Sequence, residues 1–175
     1  MFLISTSYHL DYKFDANRIS LSGVAHLEEL VTESLELPSV NQIELHPFCR
    51  QSPIVDWCKD HGVIVQAYCP IIRGQRWDHP VLEKVAKKHA KDIPQILIRW
   101  SLQMGSVGYP AHSICCIRIH LPGRYSPLPK SAHPERVRSN AELFDFELDS
   151  EDMEALNMLD EGDKGAVSWN PIHAP

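Results

Sequence analysis

From His26 onward the apolar residues switch between a helical period and short continuous runs. Leu27, Leu30 and Val31 share a helical face, which predicts a helix over 26–31 ended by Pro38. The run 40–45 predicts a strand closed by Pro47. Ser52 as N-cap, Pro53 as first helical residue and Gly62 at C′ bracket a second helix. Residues 63–68 (Val-Ile-Val-Gln-Ala-Tyr) predict a strand buried on both faces. Helices follow over 80–91, with Val81, Leu82, Val85 and Ala86 as its stripe, and over 94–104, burying Leu97 and Trp100. The last third predicts a short strand at about 127–129, a helix from Pro134 and a strand over 143–146. A closing helix is capped by Asp149, with Glu151 and Asp152 in its first turn. Strands separated by helices of this length imply βαβ units and a parallel sheet with right-handed crossovers, an α/β architecture. Two segments break the rhythm: residues 1–22, and a stretch at about 106–125 rich in Pro, His and Cys. A structureless loop of roughly 20 residues is unusual inside a compact domain.

Composition narrows the picture. The 175 residues suit one domain with a real core. A net charge of −6 disfavours nucleic acid and acidic membranes as general partners. The chain has no apolar run near the roughly 20 residues that span a bilayer, and Met1–Ser5 lacks the charged start of a signal peptide. Five irregularly spaced cysteines fit free thiols better than a disulfide framework, so a soluble cytoplasmic protein is expected.

Local charge departs from the average between Arg118 and Arg138, where Arg124, Lys130 and Arg136 add to the basic ends against Glu135 alone. Within this stretch Lys130 and Ser131 stand at the mouth of a helix carrying Arg136 and Arg138, a layout that suits a phosphate. Taken alone, the same residues also fit a proline-rich turn leading into an ordinary surface helix. His112, Cys115, Cys116 and His120 offer potential metal ligands, but adjacent cysteines rarely direct both thiolates to one ion, and no metal site is expected. Tyr8, Asp11, Tyr12, Lys13 and Asp15 crowd the N-terminus outside any strand pattern. The chain has no Walker loop, HExxH, GxSxG or GxGxxG, which removes P-loop, zincin, hydrolase and Rossmann readings.

Four segments in order carry a family resemblance: Asn41 to Pro47 (NQIELHP), Ala67 to Pro70 (AYCP), Gln95 to Gln103 (QILIRWSLQ), and Pro129-Lys130-Ser131 followed by Arg136. Together they closely resemble the aldo-keto reductases. The resemblance implies a partial TIM (β/α)8 barrel, roughly its C-terminal half, with parallel strands and outer helices. It implies an irregular segment over 1–22 and a partial domain over 23–175, interrupted by an atypical insertion at about 106–125. It further implies NADP as cofactor. Gln42 matches the strand-end amide that holds the nicotinamide carboxamide, and Tyr68 the aromatic that stacks on the nicotinamide ring. The residues alone leave open a core tyrosine and an ordinary strand-end amide at these positions. Lys130, Ser131 and Arg136 match the clamp on the 2′-phosphate, and Asn140 matches a contact to adenine. His46 is expected to shape the strand exit.

The sequence departs from the family at several points. Cys69 replaces the serine usual after the stacking tyrosine, Ser139 stands where an acid is common, and Leu21 to Val24 replaces a serine-asparagine pair. None of the family's catalytic Tyr, Lys, Asp and His is matched, so no catalytic residue is assigned. The expectation is an NADPH-dependent reductase of aldehydes or ketones represented by its cofactor half, with doubtful turnover. The alternative is a non-catalytic NADP-binding or protein-interaction module, and open sheet edges favour self-association. Trp77 and Trp169 stand equally as substrate contacts or packing residues. A third reading makes 1–22 and 106–125 untranslated gene sequence.

Overall fold

A computed structural model describes residues 18–20, 22–105 and 125–168. The N-terminal Tyr/Asp/Lys group, the 106–124 part of the interruption with its His/Cys cluster, and Trp169 lie outside them. Four strands form one parallel sheet in sequence order: β1 (Arg18–Ser20), β2 (Val40–Glu44), β3 (Ile64–Tyr68) and β4 (Tyr125–Pro127). Helices α1 (Val24–Thr32) and α2 (Ser52–Asp60) connect the first three strands. Beyond β3 come a 3-10 turn at Ile72–Gly74, then α3 (Pro80–His89) and α4 (Ile93–Met104). After β4 stand α5 (Pro134–Ser139), α6 (Ser150–Asn157) and a 3-10 turn at Gly162–Gly165.

The two faces of the central strands differ in chemistry. Ile43, Val65 and Ala67 point outward into a core with Leu27 of α1 and Ile54, Val55, Trp57 and Cys58 of α2. The alternate residues, Gln42, Glu44, Gln66 and Tyr68, share the inner face. Strand β3, expected to be buried on both faces, is buried on one: its inner positions Ile64, Gln66 and Tyr68 are only half-buried. A second core joins Leu82 and Val85 of α3, Leu97 and Trp100 of α4, and Leu156 of α6. Pro127, which lacks a ladder donor, sits on β4 at the end of the sheet, where a proline is tolerated.

One helix boundary moves and one expected strand is absent, each for a physical reason. Gln51, not Ser52, is the N-cap of α2; it adopts a left-handed backbone and its amide donates to the Glu44 carbonyl. Gly62 takes φ +71° just past the helix, as a C′ residue should. The expected strand at 143–146 does not form. Leu143 and the chain on either side of the segment are instead bound by side chains at helical spacing on α4. Gln95 Nε2 donates to the Ser139 and Glu142 carbonyls at 2.9 and 3.1 Å, and Arg99 donates to the Leu143 carbonyl at 3.3 Å. Gln103 both donates to and accepts from Leu148, at 2.8 Å each. Pinned at Leu143 and on both flanks by one helix, the segment joins no ladder, and Phe144 stays 64% exposed.

Candidate functional site

The sequence-predicted residues fall into two groups. Lys130, Ser131, Arg136 and Asn140 line one cavity of about 540 Å³ together with Ile71, Trp77 and the start of α4. Gln42 and Tyr68 do not line it. They lie on the inner face of the sheet at the C-terminal ends of β2 and β3, where Gln42 is in register with Gln66 and Glu44 with Tyr68.

Position in the cavity group comes from α4. Helix α5 is six residues long and buries none of its side chains, so it has no apolar anchor of its own. The Gln95 amide fixes the carbonyls at and beyond its C-terminal end, and Gln95 is itself held at Oε1 by the Asp92 N–H, 3.0 Å away. Among the described residues neither Lys130 nor Arg136 is in an ion pair, whereas Lys91 on the same wall is bound to Asp145 at 2.6 Å. Two uncommitted cations thus face the cavity, with Glu83 and Asp92 as its acids. The Ser131 hydroxyl accepts from the His133 N–H at 3.1 Å, closing the turn before α5. The short helix contributes little dipole, and charge here resides in the side chains.

The loop from β3 to α3 also borders the cavity. Cys69, Ile72, Arg73 and Arg76 all take positive φ, between 49° and 56°, outside the preference of non-glycine residues. This strained loop carries Ile71 and Trp77 into the cavity, and Trp77 Nε1 donates to the Ile71 carbonyl at 3.3 Å.

The strand-end group is densely bonded. Gln42 Nε2 donates to Gln66 Oε1 at 3.1 Å, which leaves the Gln42 carbonyl oxygen unengaged among the described residues. Glu44, fully buried, has His46 Nε2 at 2.9 Å and accepts from the Val167 N–H at 2.5 Å, the Ser168 N–H at 3.2 Å and the Ser168 hydroxyl at 2.5 Å. Burial alone would raise its pKa, but the bonds from His46, Ser168 and Val167 prevail and hold it below the usual carboxylate range. Tyr68 is half-buried with its hydroxyl 3.3 Å from Ser168 Oγ. Burial pushes its phenol upward against the opposing Ser168 bond, and the Glu44 charge pushes the same way.

His46 shapes the strand exit in a bridge with Cys49, and its ring also pairs with Glu44. Burial drives the Cys49 thiol up to about 12 and Cys58 to about 11, which leaves both unreactive. Among the described residues no three His, Cys, Asp or Glu side chains gather to hold a metal. Sequence reasoning missed Glu44 and Ser168. A charged residue two positions after Gln42 in an apolar strand was a readable sign of the first; Ser168 gave none.

The aldo/keto reductase family model matches residues 16–161. An uncharacterized oxidoreductase of Schizosaccharomyces pombe is 37% identical over 164 residues, covering 93% of this chain and 52% of that protein. The glyoxal reductase of Bacillus subtilis is 36% identical over 161 residues, covering 92% and 51%. Among solved structures, a Bombyx mori aldo-keto reductase in complex with NADP superposes with a TM-score of 0.67 at 31% identity, covering 87% of this chain and 46% of that one. The chain thus spans about half the length of the relatives it matches, and its four parallel strands correspond to half of a (β/α)8 barrel.

Proposed function

The chain belongs to the aldo/keto reductase family, and from that premise we propose that it binds NADP(H) and serves the reduction of aldehydes or ketones to alcohols. The observation that carries this reading is the pair of cations, Lys130 and Arg136, that stand on the wall of the cavity without an ion-pair partner among the described residues. An unpaired guanidinium and ammonium fit a phosphate dianion, the first by a bidentate fork and the second as a point charge. Ser131 and Asn140 on the same wall suit the phosphate and the adenine. Gln42 offers its carbonyl oxygen, unengaged among the described residues, to the nicotinamide carboxamide, and Tyr68 offers a flat face to the ring. Bound NADPH supplies the hydride.

The role of this chain's residues is to hold and orient that group. None of the described residues matches the family's proton donor, so full turnover draws on groups outside them. This favours a second reading, an NADP-binding module without chemistry of its own. Titration of NADPH with NADH as control tests the first step: tighter binding of NADPH, lost in Lys130→Ala, supports the clamp, and equal binding of both overturns it. Aldehyde reduction by the protein then separates enzyme from module.

The proposal extends to assembly. Strands β1 and β4 end the described sheet and leave backbone groups open on both sides. Self-association through these edges is the expected consequence, and a clean monomer in size-exclusion chromatography would count against it. A cytoplasmic location completes the reading; no helix among the described residues is long and apolar enough to cross a membrane.

A further inference from the structure

A buried carboxylate with four donors is more than the cofactor reading requires of Glu44. Taking a charge out of water is costly, and a group so placed persists where several elements depend on it. Here those elements are the exit of β2 through His46, and the tail of the described chain through Val167 and Ser168. The tail passes so close to the β2 exit that a Cβ on Gly165 would lie 1.7 Å from the Phe48 carbonyl oxygen. What this costly arrangement delivers is one hydroxyl, Ser168 Oγ, set 3.3 Å from the hydroxyl of Tyr68.

Tyr68 is the last residue of β3, and its carbonyl accepts from the Leu45 N–H at 3.3 Å. The main chain is therefore fixed, while the ring keeps rotational freedom unless its far end is also held. We infer that Glu44 and Ser168 are positioning residues that tether the Tyr68 hydroxyl and so preset the ring as a stacking surface for the flat heterocycle of a dinucleotide. The inference rests on the reading of Tyr68 given under Proposed function. A ring held in place beforehand spares a bound ligand the entropy of ordering it.

The test is calorimetric titration of the protein with two probes: NADPH, which spans both groups, and adenosine 2′,5′-bisphosphate, which reaches only the cavity. Ser168→Ala is expected to weaken NADPH about 3-fold to 5-fold, the worth of one modest hydrogen bond, and to leave the bisphosphate unchanged. Ser168→Thr restores the hydroxyl and the affinity. Tyr68→Phe, which keeps the ring, reproduces the loss, and combining it with Ser168→Ala adds nothing further. The tether is overturned if Ser168→Ala leaves NADPH affinity intact, or if it lowers both probes equally as general loosening would. If the unaltered protein binds neither probe, the cofactor reading itself falls and the tether with it.

Discussion

The two polar regions of this molecule are built on opposite plans. Around Glu44 the carboxylate is fully committed: it is buried and has four donors, from His46 at the β2 exit and from Val167 and Ser168 in the tail. Around the cavity the cations Lys130 and Arg136 are committed to nothing among the described residues, on a segment whose helix buries no side chain. Satisfied groups fix geometry, while unsatisfied charges at a cavity wall wait for a ligand to complete them. The difference separates scaffold from binding surface without any bound molecule, and each variant below acts on one plan or on what joins them.

The largest effect is expected at Trp100, fully buried in the second core, with its indole N–H on Asn157 Oδ1 at 2.9 Å. Trp100→Ala should cost about 3–5 kcal/mol. Because α4 supports the cavity segment and packs against α6, both regions should lose definition together. Urea unfolding measures the loss; a drop in unfolding free energy under about 1 kcal/mol, near the size of a surface change, would show α4 is not the shared support.

Lys130→Ala and Arg136→Ala break the comparison in the other direction. Each should weaken NADPH about 10-fold to 100-fold, the range for charge-assisted hydrogen bonds of roughly 1.5–3 kcal/mol. Stability should stay within about 0.5 kcal/mol, since neither side chain is packed. Affinity for NADH should hardly change. A variant that lost stability and kept its NADPH affinity would reverse the assignment of plans.

Gln95→Ala removes the tether rather than the charge. Two carbonyls, of Ser139 and Glu142, lose their donor, at about 1–2 kcal/mol in unfolding free energy. NADPH should weaken several-fold while both cations remain. Equal NADPH affinity in the variant and the parent would mean the cavity segment holds its place unaided.

Legibility in the sequence follows the same division. The helices and central strands were readable because their apolar periods agree with packing, as in the Leu82, Val85, Ala86 stripe of α3. The cavity residues were readable because a lysine, a serine and an arginine at short spacing sit in one local segment. Glu44 and Ser168 lie 124 positions apart and meet only through the fold, so no local pattern could join them. Residues 143–146 were misread for a related reason. Their alternation of Leu, Phe, Asp and Phe looks like a strand, yet Leu143 and the flanking Leu148 are held by side chains of α4, which only the tertiary structure supplies.

The smallest effect concerns what links the two regions. Helix α3 carries Glu83 and Ala86 to the cavity, and α6 leads toward the segment that holds Ser168. Between them Lys88 Nζ lies 2.5 Å from Asp149 and 2.9 Å from Asp152, while His89 Nε2 lies 2.7 Å from Asp152. The Lys88 bond, helped by the Asp152 N–H, holds the Asp149 carboxyl down to about 2, and Asp149 with Asp152 holds Lys88 up to about 12. A carboxyl lowered in the folded state stabilises above its unfolded value near 3.8 and loses that contribution as pH falls through about 2. For the raised lysine, the contribution is complete below 10.5 and is lost as pH climbs through about 12. Stability from this link should therefore be level across neutral pH and decline from about pH 4 toward 2. Asp149→Asn keeps an oxygen to cap α6 at the Asp152 N–H but removes the charge. Its melting temperature should lie below the parent's at neutral pH by a small margin, since both side chains are partly solvated. That margin should shrink toward zero as pH falls through about 2, where the parent's own carboxyl takes up its proton. A margin unchanged at acid pH would assign the loss to capping rather than to the ion pair, and the link between scaffold and binding surface would then not be electrostatic.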